Sequence, residues 1–407
     1  MPTRRWPRLV LLAGVLSGLT TLVGLPTRHP EQVGIATDVY ALAGRALLDG
    51  GDLYATVPAH PGFAFRYPPV LALAVVPHGV LGQTGAFVLQ TALNLAALAA
   101  LAGLLVRLAE RAGATLDRRD RLLVGAYAVL GGPVAANLVM GQVNPLLALG
   151  VAAGTWFVLR EREQAGGVAF GLAALVKLFP ALLGAWLVRL RAWRAVAAAT
   201  ATGLSLLLVG VLALGPGVHE SYVGTVLADE AAVAAFADGP DPAAPYVTVR
   251  RQVALVAPGL SGTAKSAVGA AVLAPVVVAA SRVVEDTVSR LLSLQATLLA
   301  TLLLVPLEPF YLVLGLCPLV PLLYALERGR ARRLFLAGAV LLSVPVTYES
   351  VVAVTAVAPA GLADAVRGIA RAAFGVALPP SVGAWLVLAA CVLAQRARSN
   401  PNPPEPV

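Results

Sequence analysis

Residues 166–194 read GGVAFGLAALVKLFPALLGAWLVRLRAWR. The stretch is apolar apart from Lys177 and its basic end, and arginines flank it: Arg160 and Arg162 before, Arg189, Arg191 and Arg194 after. A helix needs about 20 apolar residues to cross the hydrocarbon core of a bilayer, so two full crossings do not fit here. One full crossing would put a basic flank on each side, against the tendency of Lys and Arg to collect on the cytoplasmic side. Two short helices, 166–178 and 180–190, meeting at Phe179–Pro180 satisfy both constraints and leave Lys177 near the tip. Broken backbone at membrane depth is tolerated only where protein buries it or where it lines a cavity. A lysine there costs ~2.5–3.5 kcal/mol on insertion scales, which usually marks a partner or an anionic ligand; the plain alternative is a side chain that snorkels to the interface. The segment therefore predicts a helical membrane protein with a cavity opening to the outer side.

The rest of the chain agrees. Of its 407 residues 58% are hydrophobic and 13% charged, and the mean hydropathy is +0.82; soluble domains carry about 25% charged residues. Bilayer-length apolar runs recur, without the alternation of a barrel, so the expected class is an all-α polytopic membrane protein. Twelve transmembrane helices are expected: the two above and 9–25, 84–106, 122–140, 145–159, 196–214, 266–284, 290–306, 310–325, 334–355 and 381–395. With both termini cytoplasmic, the inner segments hold Arg4 to Arg8, Arg107 to Arg121, Arg160 and Arg162, Arg189 to Arg194, Arg282 and Arg290, Arg328 to Arg333, and Arg396 and Arg398. That is 21 of the 30 Lys and Arg residues, as cytoplasmic bias requires. The net charge of +9 thus carries orientation and excludes a nucleic-acid partner. The run PPVLALAVVPHGVLG, if it crossed, would send the arginines of RLAERAGATLDRRDR outside. It is read as an interfacial or re-entrant helix.

The domain plan is a single transmembrane domain, 1–395. A first outer loop at 26–83 carries interfacial helices, a larger outer loop lies at 215–265, and a Pro-rich tail at 396–407 is expected to be a disordered cytoplasmic segment. The first apolar run ends without a small-x-small cleavage site and is read as an uncleaved helix. Cys317 and Cys391 lie in apolar runs with no metal spacing and no expected disulfide.

Several polar groups stand out against this background. In TDVYALAGRALLDGGDLY, residues 37–54, Thr37 is placed to cap a short helix that Gly50–Gly51 end. Asp38 falls in its first turn, where a carboxylate complements the helix dipole; an ordinary capping charge is the alternative to a functional acid. In FAFRYPP, Arg66 precedes a proline-stiffened turn, as a phosphate fork or a headgroup anchor. In NLVMGQVNPLLALG, Gln142 and Asn144 flank a tight turn, with amides suited to sugar hydroxyls or to helix caps. Glu308, in LVPLEPFYLV, and Glu349 are acids between or at the ends of apolar runs. The four histidines show no metal spacing, and no phosphate-binding loop or nucleophile elbow is present.

Taken in order, Asp-x-Tyr (Asp38, Tyr40), DGGDLY (Asp52), FRYPPVLAL (Arg66, Tyr67), GQVNPLL (Gln142, Asn144) and AGGVAFGLAALVKLFPALL followed by RAWRA resemble glycosyltransferase family 87. These are the polyprenyl-phosphate-mannose-dependent mannosyltransferases of the C-type superfamily. The resemblance covers about residues 9–200 and rests on the ordered set rather than on any one motif. Where relatives carry an aromatic-acid/His cluster, this chain has PLEPFYLV, with Glu308 and Tyr311 in place.

The resemblance implies a C-type glycosyltransferase fold and a hexose, mannose by family, carried on a polyprenyl or dolichyl phosphate to a glycan or glycolipid acceptor with inversion. Asp38 is the implied general base. Arg66 and Lys177 would hold the donor phosphate. Tyr40, Asp52, Tyr67, Gln142, Asn144, Glu308 and Tyr311 would line the substrate. No cofactor or metal is expected, and membrane lipids are the surroundings. The expected location is the plasma membrane of a prokaryote, with the active site at the outer face. A transporter or lipid-linked-sugar flippase is the competing expectation.

Overall fold

The computed structural model describes residues 4–227, 236 and 239–399. In chain order its helices and strands are α1 Arg5–Arg28, α2 Ile35–Asp49, β1 Thr56–Val57, β2 His60–Ala64, α3 Val70–Arg111, α4 Arg118–Leu130, α5 Gly132–Met140, α6 Asn144–Leu159 and α7 Glu163–Val176. There follow α8 Gly184–Arg189, α9 Trp193–Leu214, α10 Pro216–Ser221, α11 Arg250–Val256, α12 Gly262–Ala279 and α13 Thr287–Leu304. The last are α14 Leu316–Ala325, α15 Arg330–Ser343, α16 Tyr348–Thr355, α17 Ala360–Val376 and α18 Pro379–Ser399. Short 3-10 turns at Pro30–Gln32, Phe179–Leu183 and Pro309–Gly315 join some of them.

Each of the twelve expected spans falls on an apolar helix or helix pair. Among the described residues six helices are long and apolar enough to cross alone, or up to eight if each of two bent pairs is one span. Segments Asn144–Leu159, Glu163–Val176, Phe179–Arg189 and Pro309–Ala325 are apolar but shorter. The chain is thus a helical integral membrane protein.

The structure corrects several local expectations. The run 122–140 is two helices bent by 40°, with Gly131 capping the second and Pro133 in its first turn. The run 334–355 breaks between α15 and α16 with a 67° bend, across a segment holding Pro345, which removes a helix-bonding N–H. Helix α17 was not foreseen; its buried residues are Ala363, Ala370 and Phe374, and most of its other positions are exposed. The first loop also contains a short β-hairpin, β1 antiparallel to β2, within the otherwise α-helical fold. Helix α18 continues to Ser399, which makes 396–399 of the expected tail helical; residues 400–407 lie outside the described residues, as do 228–235 and 237–238 of the 215–265 loop. Cap geometry differs too: α2 starts at Ile35 behind Gly34 (φ 74°), and the Thr37 hydroxyl donates back to the Gly34 carbonyl at 2.6 Å. At its other end Gly50 (φ 71°) closes the helix as expected.

The chain packs as two compact units, one of Met1–Ser17, Val106–Tyr127 and Ala234–Val407, the other of Gly18–Leu105 and Ala128–Val233. In the second unit α7 lies between α6 and α9. Small residues permit that approach, because lipid offers no hydrophobic gain for helix association and close packing must supply it. A Cβ at Gly171 would come 2.7 Å from the Ala199 carbonyl, and one at Gly154 2.8 Å from the Phe170 ring. Helix α2 is held against the first half of α3, where Gly44 meets Gly79 and the Val75 carbonyl. Gly82 (φ 69°, ψ −179°) then interrupts α3, separating that half from the long apolar half that follows.

In the first unit α13 is buried along almost its whole length and packs against α12, α14 and α18. Helices α15 and α18 cross at Gly338 and Gly383; a Cβ on either would meet the other's carbonyl at 2.6–2.8 Å. Charges here are closely partnered. Arg8 bonds Asp120 at 2.8 Å and Asp117 at 2.6 Å. Arg398 reaches Asp286, the N-cap of α13, at 2.7 Å. Buried Arg251 donates to the backbone carbonyls of Asp241, Ala244 and Phe374, and its guanidinium lies over the Phe236 ring. Cys317 and Cys391 are buried free thiols.

Candidate functional site

The second unit gathers most of the polar groups singled out in the sequence. Helix α2 places Asp38 in its first turn, with the side chain 17% exposed. Its carboxylate faces a residue the motifs did not nominate: His60 Nε2 lies 3.6 Å from Asp38 Oδ2, and the imidazole is likewise 17% exposed. Partial burial pushes the Asp38 carboxyl above the usual carboxylate range, and His60 opposes that shift. The hairpin brings the two together. His60 starts β2, pairs with Val57, and meets the Phe63 ring edge-on at 6.4 Å. Gly62 (φ 100°) supplies a backbone angle that a side chain would resist.

Around the corner of α2, Tyr40 joins a second group. Its hydroxyl is 3.0 Å from that of Tyr67, and both rings are buried among Ala36, Val39, Phe65 and Ala72. Lys177 Nζ sits over the Tyr67 ring, 4.8 Å from its centroid. This lysine ends α7 in extended backbone (φ −137°, ψ 133°), so the break comes two residues before the expected Phe179–Pro180 junction. The chain then continues through Phe179–Leu183 into α8. Beside this break lies a cavity of about 570 Å³, lined among others by Pro68, Phe170, Leu178, Leu187, Leu207 and Tyr222. Its walls are almost wholly apolar. The expected break and cavity are therefore both present.

Arg66 is exposed between the hairpin and the two prolines. Asp52 is exposed as well; its carboxylate accepts the Tyr54 N–H at 2.9 Å, and it borders a separate cavity of about 460 Å³ with Gly50, Tyr54 and Ser221. Tyr54 in turn reaches the Tyr67 carbonyl at 3.3 Å. Gln142 is partly buried and its carbonyl accepts Asn94 Nδ2 at 2.9 Å, the end of a buried chain from His78 through Gln90. Asn144 departs from the expectation of an accessible amide. It is fully buried at the start of α6 and donates to Asn137 Oδ1 at 2.9 Å.

Glu308 and Tyr311 belong to the first unit. Glu308 precedes the Pro309–Gly315 turn, and burial, with the neighbouring Glu349 carboxylate second, pushes it above the usual carboxylate range. The Tyr311 ring stacks at 4.8 Å on Phe310. Among the described residues no three His, Cys, Asp or Glu side chains are grouped as metal ligands.

The second unit is thus an apolar helical body with a partly buried acid, a lysine at a helix break and an apolar cavity beside that break. The glycosyltransferase family 87 model matches residues 65–307, more than half of the chain, and the chain belongs to that family. The match begins at Phe65, so it covers Arg66, Tyr67, Gln142, Asn144 and Lys177, while Asp38, Tyr40 and Asp52 precede it and Glu308 and Tyr311 follow it. It starts later and runs further than the 9–200 resemblance carried by the motifs.

The chain is similar to two proteins of Mycolicibacterium smegmatis. One is a polyprenol-phosphate-mannose-dependent alpha-(1-2)-phosphatidylinositol pentamannoside mannosyltransferase, 35% identical over 43% of this chain and 44% of that protein. The other is a polyprenol-phosphate-mannose-dependent alpha-(1-2)-phosphatidylinositol mannoside mannosyltransferase, 33% identical over 44% and 43%. A Mycobacterium tuberculosis pentamannoside mannosyltransferase is 33% identical over 47% of this chain and 44% of its own length. The matched part thus spans less than half the length of these relatives.

Proposed function

We propose that the protein is a membrane glycosyltransferase that moves a hexose, mannose in this reading, from a polyprenyl-phosphate donor to a hydroxyl of a glycan or glycolipid. The observation that carries the reading is the arrangement within one unit of Asp38, partly buried, and Lys177 at a helix break beside an apolar cavity. Kinship with lipid-phosphate-sugar enzymes that act on phosphatidylinositol mannosides supports it.

In this mechanism Asp38 takes the acceptor hydroxyl proton as that oxygen attacks the anomeric carbon. Partial burial makes the carboxylate more basic, which suits the task. The bond from the anomeric carbon to the phosphate oxygen breaks, and polyprenyl phosphate leaves from the opposite face, so configuration inverts. Lys177 and Arg66 meet the charge that develops on the phosphate. The apolar cavity takes the first isoprene units. Tyr40 and Tyr67 hold the floor beneath Lys177, and Asp52 and Gln142 are assigned to sugar hydroxyls. Asn144, being buried, contributes by setting the turn that presents Gln142. The wider reading is a C-type fold of about twelve membrane helices in one catalytic domain. It lies in a prokaryotic plasma membrane with cytoplasmic termini and the site at the outer face, and needs no metal.

The test is transfer of labelled mannose from polyprenyl-phosphate-mannose to phosphatidylinositol mannosides by the full chain in lipid nanodiscs. Asp38→Asn is expected to lower turnover about 10²–10⁴-fold, the usual contribution of a general base, without changing the melting temperature. Turnover close to wild type in that variant overturns the assignment. Movement of the lipid-linked sugar across the bilayer without bond formation points to a flippase instead.

A further inference from the structure

The described histidines include one that the family motifs did not single out and that the fold brings directly to Asp38. His60 lies 22 residues along the chain, at the first position of β2. The hairpin carrying it packs against α2, and Val57, its cross-strand partner, is buried in the same core as Tyr40 and Tyr67. The imidazole is thereby held, largely sheltered, against the carboxylate. The Glu31 carboxylate, held below the usual range first by its own backbone N–H, also feels the charge of His60. Glu31 Oε1 lies 3.1 Å from His29 Nδ1, and both of these side chains are more open to solvent than Asp38.

Resting on the reading of Asp38 as the base, we infer that His60 is the proton acceptor for Asp38 and passes that proton on to solvent. A partly buried carboxylate that has taken a proton must lose it before the next turnover. Once the acceptor oxygen has bonded the anomeric carbon, the proton sits on Asp38 Oδ2. It passes to the free Nε2 of His60, giving an imidazolium. That ring releases its Nδ1 proton to water, which leaves Asp38 ionised and the ring as its Nε2–H tautomer; exchange of that proton with water frees Nε2 again before the next turnover. The 3.6 Å separation is a loose approach that tightens when substrate fills the site, as such contacts commonly do. The groups placed against the imidazole are Asp38 from α2 and the uncharged Phe63 ring from its own strand, while Glu31 from the Pro30–Gln32 turn acts on it through charge alone. A metal-binding role does not fit, since no three of these groups converge as ligands.

The experiment uses the full chain in nanodiscs with polyprenyl-phosphate-mannose and phosphatidylinositol mannoside, comparing His60→Ala, His60→Gln and wild type across pH. His60→Ala is expected to reduce kcat about 10²-fold, the low end of acid–base contributions, with the donor KM nearly unchanged. Added imidazole should restore part of the rate. The acid limb of the pH profile should move to higher pH, because the carboxylate loses a neighbour that favours its charged form. His60→Gln keeps the bulk and a hydrogen bond to Asp38 but cannot carry the proton; it should be as slow as the alanine variant, with wild-type melting. An unchanged kcat and pH profile, or a loss in both variants that imidazole does not relieve, overturns the relay. If Asp38→Asn is inactive while His60→Ala is normal, the relay alone fails. If Asp38→Asn turns over normally, the underlying reading fails as well.

Discussion

The two units treat charge in opposite ways. In the first, Arg251 spends its donors on three carbonyls, Arg8 bonds two aspartates, and Arg398 caps a cap. These are short contacts, and their job is to fasten segments that are far apart in sequence. In the second, Asp38 meets His60 at only 3.6 Å, Arg66 is exposed, and Lys177 rests on the face of an aromatic ring. A carboxylate held this loosely is costly in a membrane protein, and that is the ground for proposing Asp38 as a site residue.

This contrast can be broken at its extremes. Asp38→Asn should remove turnover and spare stability, while Arg251→Met should do the reverse. Leaving the buried Phe374 carbonyl without its donor, and two partly buried carbonyls with it, is expected to cost about 1–3 kcal/mol, the range for one buried unsatisfied group, read as a lower melting temperature and reduced recovery from detergent. If Arg251→Met melts like wild type, the fastening role assigned to the first unit is wrong. Next in size, Lys177→Met should raise the donor KM roughly 10-fold, equal to about 1.4 kcal/mol of lost phosphate binding, with melting unchanged or higher. An unchanged KM would return Lys177 to the structural class. Tyr40→Phe should remove the hydroxyl pair with Tyr67 and lower stability by about 1 kcal/mol, measured by thermal unfolding in nanodiscs.

The smallest effect is a pH dependence. Asp117 is held down at about 2, first by the Asp120 backbone N–H and then by Arg8 and Arg4. A depressed carboxylate stabilises the fold above its unfolded value, near 3.8, and that contribution is lost as pH falls from there towards 2. Asp117→Asn should therefore flatten the melting curve's dependence on pH between about 4 and 2. The same slope in both proteins would separate Asp117 from acid sensitivity.

Much of this was legible before any coordinates. The break near Lys177 followed from a length that fits neither one span nor two between basic flanks. Gly82 fell where charge order had already separated an interfacial run from a span. Among the features that escaped, three show why. His60 was invisible because its partner is on another element and no spacing rule joins a hairpin to a helix turn. Asn144 looked accessible because it follows a glycine turn, but the turn packs inward onto Asn137. The bend between α15 and α16 hid inside a run whose hydropathy is continuous, and hydropathy does not report backbone direction.

Hydropathy, charge order and the position of Lys177 were enough to establish a helical membrane chain with an interrupted segment, because bilayer thickness and the cost of buried charge act on local composition. Which groups face one another came only with folding: His60 on Asp38, Lys177 on Tyr67, Arg251 on its three carbonyls. Those pairings depend on close helix crossings at glycines and on a two-strand hairpin, and they join residues whose separation in sequence carries no local signal.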